Sequence, residues 1–502
     1  MDKKKRLIIA AVAAAVLAGV ILLLIFLPKG GSGSDDATYD EGIDMVPHID
    51  ENGVHQVEIV TDENGNIKNN SFGTLIDYVP AQIKEIHVEN AGGTFDVDSN
   101  TPEGEATVYT IRGFEGLELQ AGEPDVIANA AASLEFSKVA TLDKAKGGEF
   151  GFDSPRSVVT VTYTDGTKAV YTVGSDAPQA AGTYIKFGTG DAVFVVSTET
   201  VAPFDYKLTD LVSKTINNSA DTEENAACSS IKLSGAAFDG EIELVPNTGG
   251  KLAASYMLKA PAERAANESE SSKITGGIRG LYATEALMVN PSEAQLGELG
   301  LSEPYARVKA VYPDGTVELI ASKPDGDGNT ALMAAGGSVV YEIAADKVPW
   351  VTTSYKKLVG EYALYPKMSA VSAVSVKSGG KTYDFALDSR ESVTTDDDGN
   401  ETVTTITTVK YGGKEADLGS FTEFYDAASL IGVADPDAQS EGTAVLEITY
   451  TYPDGGSDKV VFGDNGGDMY SVTVNGKAFG GCYKADITRA VNAIAVATGE
   501  NR

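Results

Sequence analysis

The sequence predicts an α+β protein in which a single N-terminal transmembrane helix precedes three tandem repeats of a small module. Each module is expected to contain antiparallel strands and two short helices. Three observations lead to this prediction. Residues 7–27 form an uninterrupted apolar run. A Tyr-x-Asp-Gly pattern recurs along the chain, and the segments around each copy alternate apolar and polar residues before apolar stripes of helical spacing.

The apolar run predicts a membrane anchor. As a helix, its 21 residues would span about 30 Å, which matches the hydrocarbon thickness of a bilayer. The run includes Leu7, Leu17, Leu22 and Leu27, and it follows the basic residues Lys3, Lys4, Lys5 and Arg6. Because Lys and Arg are enriched on the cytoplasmic side, we expect a single-pass protein whose N-terminus is cytoplasmic and whose bulk is extracytoplasmic. A cleaved signal peptide is less favoured, because its apolar core is usually about 7–15 residues long.

Composition shifts and repeat positions predict the domain organisation. The expected segments are a cytoplasmic basic tail (1–6), the transmembrane helix (7–27), a flexible linker and N-terminal spacer (28–80), and repeats 1 (81–218), 2 (229–362) and 3 (370–502). The linker prediction rests on the Gly/Ser-rich stretch at 30–34.

The repeat is defined by a short motif that recurs at nearly constant spacing. Its residues are Gly151, Pro155, Tyr163, Asp165 and Gly166 in the first copy, Gly300, Pro304, Tyr312, Asp314 and Gly315 in the second, and Tyr452, Asp454 and Gly455 in the third. The upstream proline of the third copy is less clear. Since Asp-Gly supplies the positive φ of a tight turn, each copy predicts a β-hairpin.

Helix patterns follow the first strands of each copy. In the third copy, apolar residues at helical spacing occupy 421–428, and Ser420 with Glu423 forms a plausible capping box. In the first copy, Pro124 suits the opening turn of a helix. Each copy also closes with a short helical pattern, whose last example is the apolar stripe at 487–494. Together these patterns are the basis for the two short helices assigned to each module.

Charge and composition exclude several classes of protein. The chain has 502 residues, 42% of them apolar, with 73 acidic and 39 basic residues and a net charge of −34. Such a field repels phosphate backbones, so we expect no nucleic-acid partner. Two Cys and three His are too few for a disulfide scaffold or a Cys/His zinc module. We therefore expect no cofactor.

Acidic loops raise the possibility of calcium binding. Asp325, Asp327 and Asn329 alternate like the first ligands of a calcium loop, but Thr330 stands where that loop needs glycine. An ordinary turn is the favoured interpretation, since Asp, Asn and Gly are common turn residues. Weak calcium binding by these three residues is left open.

The sequence singles out no catalytic residue. Cys228 and Cys482 do not occupy equivalent repeat positions, and whether they pair cannot be read from the sequence. A glycosidase needs only two suitably spaced carboxylates. With 73 acidic residues, a carboxylate pair cannot be rejected, although nothing selects one.

The combination of an N-terminal apolar segment, the Gly-x-x-x-Pro and Tyr-x-Asp-Gly motifs and the strand containing Tyr184-Ile185-Lys186 resembles the family of the domain of unknown function 4340. The resemblance extends over most of residues 74–360 and more faintly over the third copy. Members are often associated with ABC-type export systems of the kind linked to gliding motility. The resemblance therefore implies an envelope-side accessory subunit, and it supplies no catalytic residues.

The expected function is that of a non-catalytic, membrane-anchored extracytoplasmic binding or scaffold protein, and not of an enzyme. Its expected partners are membrane lipid, through the N-terminal helix, and the subunits of an ABC-type transport system. Two alternatives stay open: an anchored cell-envelope hydrolase that uses a carboxylate pair, and a calcium-dependent surface adhesin.

Overall fold

The computed structural model describes residues 42–67, 72–102, 105–143, 148–395, 401–438 and 441–500. The structure is mostly β, with 44% strand and 20% helix, and its strands form four antiparallel sheets. The predicted class of α+β repeats is therefore wrong. The helical stripes in the sequence do form helices, but these are short, whereas strands make up most of the chain between them.

The predicted transmembrane segment 7–27 lies outside the described residues, as do the four leucines and the four basic residues assigned to it. Within the described ranges, the structure contains no helix that is both long enough and apolar enough to cross a bilayer.

The first part of the chain forms short strands. They are β1 Met45–Ile49, β2 His55–Ile59, β3 Gly73–Asp77, β4 Ile83–Asn90, β5 Gly93–Asn100, β6 Val108–Ile111, β7 Ser133–Thr141, β8 Ser157–Tyr163, β9 Lys168–Asp176, β10 Thr183–Phe187 and β11 Val193–Val196. Strands β1, β2 and β3 lie inside the predicted flexible spacer 28–80. Their alternation is short and interrupted by Asp, Glu, Asn and Gly, so these strands carry little signal in the sequence.

The strands of the second and third large sheets complete the β structure. They are β12 Ser230–Ser234, β13 Ile242–Pro246, β14 Tyr256–Ala260, β15 Arg264–Ala265, β16 Glu285–Val289, β17 Ala306–Tyr312, β18 Gly315–Ala321, β19 Asn329–Ala334 and β20 Val339–Ala344, followed by β21 Ala373–Ser378, β22 Lys381–Thr395, β23 Glu401–Tyr411, β24 Lys414–Glu415, β25 Thr443–Thr451, β26 Ser457–Asp464, β27 Met469–Val474 and β28 Lys477–Tyr483.

The helices are α1 Glu123–Ala132, α2 Thr198–Val201, α3 Glu223–Ala226, α4 Glu268–Gly276, α5 Glu293–Glu298, α6 Tyr355–Leu358, α7 Leu418–Ser429 and α8 Lys484–Ala497. Helix α7 covers the predicted stripe, but its N-cap is Asp417, whose side chain accepts a hydrogen bond from the Ser420 backbone N–H at 2.9 Å. The predicted cap at Ser420 was one turn late, because Asp417 satisfies the free N–H groups first.

The chain divides into two compact units. As far as they are described, unit 1 comprises Met1–Tyr78, Ser133–Pro155 and Gly166–Thr200, and unit 2 comprises Val79–Ala132, Arg156–Asp165 and Val201–Arg502. Predicted repeat 1 contributes to both units, and the predicted repeat boundaries stay predictions.

Unit 1 contains the hairpin β1–β2 and a run of strands in the order β3-β7-β11-β10-β9. Strand β11 is buried along its whole length, which is typical of a strand covered on both faces. Phe136 and Phe194 pack with ring centroids 4.9 Å apart, and Tyr171 stacks on Phe187 at 5.9 Å. The interior of this unit therefore combines aromatic contacts with buried aliphatic side chains.

Unit 2 repeats one strand order. Its two complete sheets contain the runs β14-β13-β12-β17-β18-β19-β20 and β23-β22-β21-β25-β26-β27-β28, which follow the same connectivity. The run β6-β5-β4-β8 reproduces the first four positions of that order. The same strand order therefore recurs within this unit.

Each complete sheet of unit 2 has its own core. In the second sheet, Trp350 is fully buried, and its indole Nε1–H donates to the Gly277 carbonyl oxygen at 2.8 Å. In the third, Phe385 packs against Phe421 of α7 with ring centroids 4.9 Å apart.

One hairpin of the third sheet extends beyond its core. Strands β22 and β23 pair continuously from Phe385↔Tyr411 to Thr395↔Glu401. Leu387 and Val409 are the last buried residues before the hairpin tip among those described. The rest of this two-stranded ribbon is exposed or half-exposed on both faces.

Candidate functional site

A large cleft in unit 2 is the candidate functional site. It lies between the β12–β15 side of the second sheet and the β26–β28 side of the third, and its volume is about 1290 Å³. Ligand pockets commonly enclose about 300–1000 Å³. The cleft is therefore large enough for a sizeable organic ligand or an extended segment of a partner.

The lining of the cleft is basic, although the chain as a whole is strongly acidic. The charged lining residues are Lys251, Lys259, Arg264 and Lys477 on the positive side and Glu263 and Asp458 on the negative side. Four cations against two carboxylates give the lining a positive balance in a chain of net charge −34. Charge of one sign in a concave site raises the local concentration of oppositely charged ligands.

Arg264 is the most unusual of these residues. Its side chain is only 6% exposed, and its guanidinium lies 4.0 Å from the centroid of the Phe479 ring and 5.9 Å from that of Tyr355. Nη1 donates to the Phe479 carbonyl oxygen at 3.3 Å, whereas Nε is buried without a hydrogen-bond partner. Burial lowers the pKa of the guanidinium, and the nearby Tyr355 and Asp437 oppose that effect.

The charge of Arg264 is not neutralised by an ion pair within the described part of the chain. Asp437 contributes to its electrostatic environment but is itself paired with Lys356 at 2.5 Å. Burying a charge without a counter-charge is costly, and an unpaired buried N–H adds to that cost. Arg264 therefore lies in an environment that a bound anion would complete.

Two other cations of the cleft are held by carboxylates. Lys251 Nζ lies 2.7 Å from Asp454 Oδ2 and 4.4 Å from the centroid of the Tyr452 ring. Lys259 is paired with Glu263 four residues further along. These lysines contribute charge to the lining, but each is already partly neutralised.

The part of the cleft rim formed by β26–β28 carries both acidic and basic side chains. Asp458 accepts hydrogen bonds from the Tyr452 hydroxyl at 2.6 Å and from the Asn475 amide at 2.8 Å. Lys477 is exposed and forms no ion pair in the ranges that the structure describes. The two cations available to a ligand are therefore Arg264 in the interior and Lys477 at the edge.

Apolar groups complete the cleft. Leu252, Met257, Leu364, Val474 and Phe479 all lie in its lining. Apolar walls with a few convergent polar groups are the usual composition of an organic ligand site. This arrangement can bind and orient a ligand that has both an apolar part and a negative charge.

The cysteines are free thiols. Both Cys228 and Cys482 are buried and unbridged, and Cys228 lies in the lining with its Sγ 3.8 Å from the Tyr256 hydroxyl. Burial raises the pKa of Cys228 and raises that of Cys482 to about 12. Because the thiolate is the nucleophile, burial works against the activation of either thiol.

The predicted calcium ligands lie in the loop before β19. The Asp325 carboxylate accepts the backbone N–H groups of Asp327 and Asn329, each at 2.9 Å. This is the hydrogen bonding of an Asx turn, which shapes the loop through Asp325 itself. Across the described residues, no group of three or more His, Cys, Asp or Glu side chains is arranged to hold a metal ion.

The repeat-motif residues lie in tight turns and in or next to the strands that flank those turns. The glycines Gly166, Gly315 and Gly455 follow the turn aspartates with φ of +88°, +150° and +81°. Gly151 and Gly300 also have positive φ, of +86° and +71°. Tyr163 is completely buried, and Pro155 and Pro304 are half-buried at the starts of hairpins.

In the second and third copies, the motif also holds a cation. Arg279 lies 4.0 Å from the centroid of the Tyr312 ring and pairs with Asp314 at 2.7 Å. Lys251 makes the corresponding contacts with Tyr452 and Asp454, although it comes from the second sheet. The Tyr-Pro-Asp-Gly turn therefore binds a basic side chain through a ring and a carboxylate, a role that the motif alone did not predict.

Sequence reasoning missed Arg264, Lys251 and Lys477. One signal was available for the first two, because the segment 251–264 carries three basic residues and one acidic residue in an otherwise acidic chain. Lys477 gave no such signal. It lies more than 200 residues from Arg264 in sequence and reaches the cleft only through the fold.

Comparison with known proteins supports one part of the sequence analysis. A family model, described as Domain of unknown function (DUF4340), matches residues 114–253. The resemblance to that family is therefore confirmed over this segment. No curated protein and no solved structure matches the chain. Arg264 and Lys477 lie beyond the matched segment.

Proposed function

We propose that the protein is a non-catalytic, extracytoplasmic binding protein, held at a cell membrane by the apolar segment 7–27, and an accessory subunit of an ABC-type transport system. The observation that carries the binding role is the cleft of about 1290 Å³ in unit 2. Its lining combines apolar side chains with an unneutralised arginine, and this composition suits recognition.

Two further points support the proposal. The basic residues 3–6 and the apolar run after them favour a membrane location with the bulk of the chain outside the cytoplasm. The segment matched by the family model favours a relationship to proteins that accompany ABC-type exporters, as the resemblance implies.

Co-purification tests the partner assignment. Intact cells would be crosslinked, the full-length protein purified in an uncharged detergent, and the recovered proteins identified by mass spectrometry. We expect an ATPase and a permease to co-purify in amounts comparable to the protein itself, and to be absent from cells that lack it. Recovery of the protein alone would contradict the accessory-subunit role.

A further inference from the structure

We infer that the cleft of unit 2 binds an organic anion, in which a carboxylate or phosphate group contacts Arg264 and an apolar body lies against Leu252, Leu364 and Phe479. This inference rests on the proposed binding function and adds the chemical class of the ligand to it.

The first argument is that the Arg264 guanidinium lacks a counter-charge and a hydrogen-bond acceptor for Nε. A guanidinium has five N–H donors and matches the two oxygens of a carboxylate or phosphate. In this protein one donor reaches the Phe479 carbonyl oxygen, Nε is enclosed without a partner, and the side chain is 94% buried. An oxyanion at the guanidinium edge would supply both the missing counter-charge and the missing acceptor.

The second argument is the position of Arg264 in the cleft. The residue belongs to the lining, and its guanidinium carbon packs 4.0 Å from the centroid of the Phe479 ring. A donor that is already fixed in place loses little freedom when a ligand binds, which favours affinity. Lys477 lies in the same lining and can attract the anion toward the cleft.

The third argument concerns the acidic residues of the lining. Glu263 is paired with Lys259, and Asp458 accepts hydrogen bonds from Tyr452 and Asn475. Both carboxylates are therefore engaged, and their partners reduce the repulsion that they would exert on an anion. The unengaged charges of the lining are positive.

Binding of three related probes tests the inference directly. The probes are 2-naphthoate, 2-naphthyl phosphate and the uncharged 2-naphthamide, which share one apolar body. Their affinities for the full-length protein in uncharged detergent would be measured by titration calorimetry, with empty micelles as the blank. We expect at least one anion to bind about tenfold or more tightly than the amide, since charge-assisted hydrogen bonds to a buried guanidinium exceed neutral ones.

Variants assign the effect to individual residues. We expect Arg264→Gln to weaken binding of the preferred anion by about 10- to 100-fold and Arg264→Lys by less, because lysine keeps the charge but loses the planar fork. Lys477→Gln should weaken binding by roughly threefold, as expected for an exposed charge. Lys309→Gln is the matched control, because Lys309 is an ion-paired surface lysine of the second sheet that lies outside the cleft lining.

The outcomes separate the ligand class from the proposed function. Equal affinity for all three probes, or an unchanged affinity in Arg264→Gln, would overturn the inference, and so would the absence of binding by every probe. None of these results changes the co-purification test of the transport partner. If Arg264→Gln does not fold, Arg264→Lys decides the point, because lysine keeps the charge and the extended stem at this position but loses the planar fork. An unchanged affinity of the preferred anion for Arg264→Lys would then overturn the inference. The preference between naphthoate and naphthyl phosphate identifies the anionic group.

Discussion

Two arginines of unit 2 occupy opposite environments. Arg112 is 48% exposed and lies among three carboxylates, with distances of 2.7 Å to Glu85, 2.9 Å to Asp96 and 2.5 Å to Asp98. These carboxylates raise its pKa. Arg264 is buried, forms no ion pair within the described residues, and has a lowered pKa. In a chain with 73 acidic residues, carboxylates are abundant, so the environment of Arg264 is the informative one.

The two arginines should therefore affect the stability of the fold differently. An exposed ion-pair cluster contributes little to stability, because water and salt screen it. A buried, unneutralised charge destabilises the fold unless a ligand supplies what is missing. The comparison therefore predicts that substitutions at the two arginines differ in kind and in size.

Charge reversal should produce the largest difference. We expect Arg264→Glu to lower the free energy of unfolding by about 4 kcal/mol, because it places an unpaired carboxylate in a buried site. Arg112→Glu should have a clearly smaller effect, since its side chain stays in water. Urea unfolding of both variants measures the difference, and equal losses would show that the two sites are not distinct in burial.

Truncation should separate the packing of Arg264 from its charge. We expect Arg264→Ala to cost about 2–3 kcal/mol, because the stem that packs on Phe479 is lost. Arg264→Met keeps that volume and removes the charge, so its cost should be under about 1 kcal/mol. The measurement is again urea unfolding. A methionine variant as unstable as the alanine variant would mean that the charge itself stabilises the unliganded fold.

The surroundings of Arg112 predict a pH effect through His87. The His87 Nδ1 lies 2.6 Å from Asp96, a residue that Arg112 also contacts, and this hydrogen bond raises the pKa of His87 above 6.5. A raised folded-state pKa stabilises the protein fully below pH 6.5, and this contribution is lost as the pH rises through the folded-state pKa. Because His87 is 38% exposed, we expect only about 0.5 kcal/mol after screening.

Two variants test the pH-dependent contribution of His87 to stability. The difference in unfolding free energy between wild type and His87→Gln should be larger at pH 5.5 than at pH 8.5. The Asp96→Asn variant removes the carboxylate that His87 Nδ1 contacts at 2.6 Å, so its difference from wild type should also be larger at pH 5.5 than at pH 8.5. A larger difference at pH 8.5 would reverse the sign and contradict the assigned ion pair.

Salt should produce the smallest effect. We expect Arg112→Ala to be slightly less stable than wild type at low ionic strength, because three carboxylates then repel one another. This deficit should shrink in 1 M sodium chloride, where the screening length is about 3 Å. Thermal melting at the two salt concentrations tests it. A deficit that does not change with salt would indicate packing of the arginine stem instead.

The hairpins were the most predictable part of the fold. Tyr312, Asp314 and Gly315 lie at the predicted turn, and Gly315 adopts a positive φ of +150°. Such turns are encoded by local chemistry, since only a few residue types tolerate positive φ. The stripe at 421–428 likewise gave the helix α7, although not its first residue.

The fold class was not predictable by the same reasoning. Helical stripes such as the one at 421–428 are conspicuous in a sequence, but the helix that forms there, α7, spans only 12 residues. Short strands such as β2 and β3 carry little pattern, and their pairing partners are decided by distant residues. Because helical patterns are clearer in the sequence than those of short strands, the sequence predicts a larger share of helix than the structure contains.

The candidate site was hidden for a related reason. Arg264 meets Phe479, and Lys251 meets Asp454, across more than 200 residues of sequence. Local spacing carries no information about such contacts. The sequence does show an unusual basic segment at 251–264, but its burial and its missing counter-charge appear only when the two sheets are assembled.

The ribbon of β22 and β23 has a mechanical consequence. Beyond Leu387 and Val409 it has no buried residue among those described. Each further residue pair is therefore stabilised mainly by its own cross-strand contacts and not by a hydrophobic core. We therefore expect the cross-strand pairs to separate one after another, starting at the hairpin end, while the core below stays folded. Eight paired positions lie beyond Leu387↔Val409. At about 3.3 Å each, the part of the ribbon that can separate in this way is roughly 26 Å long.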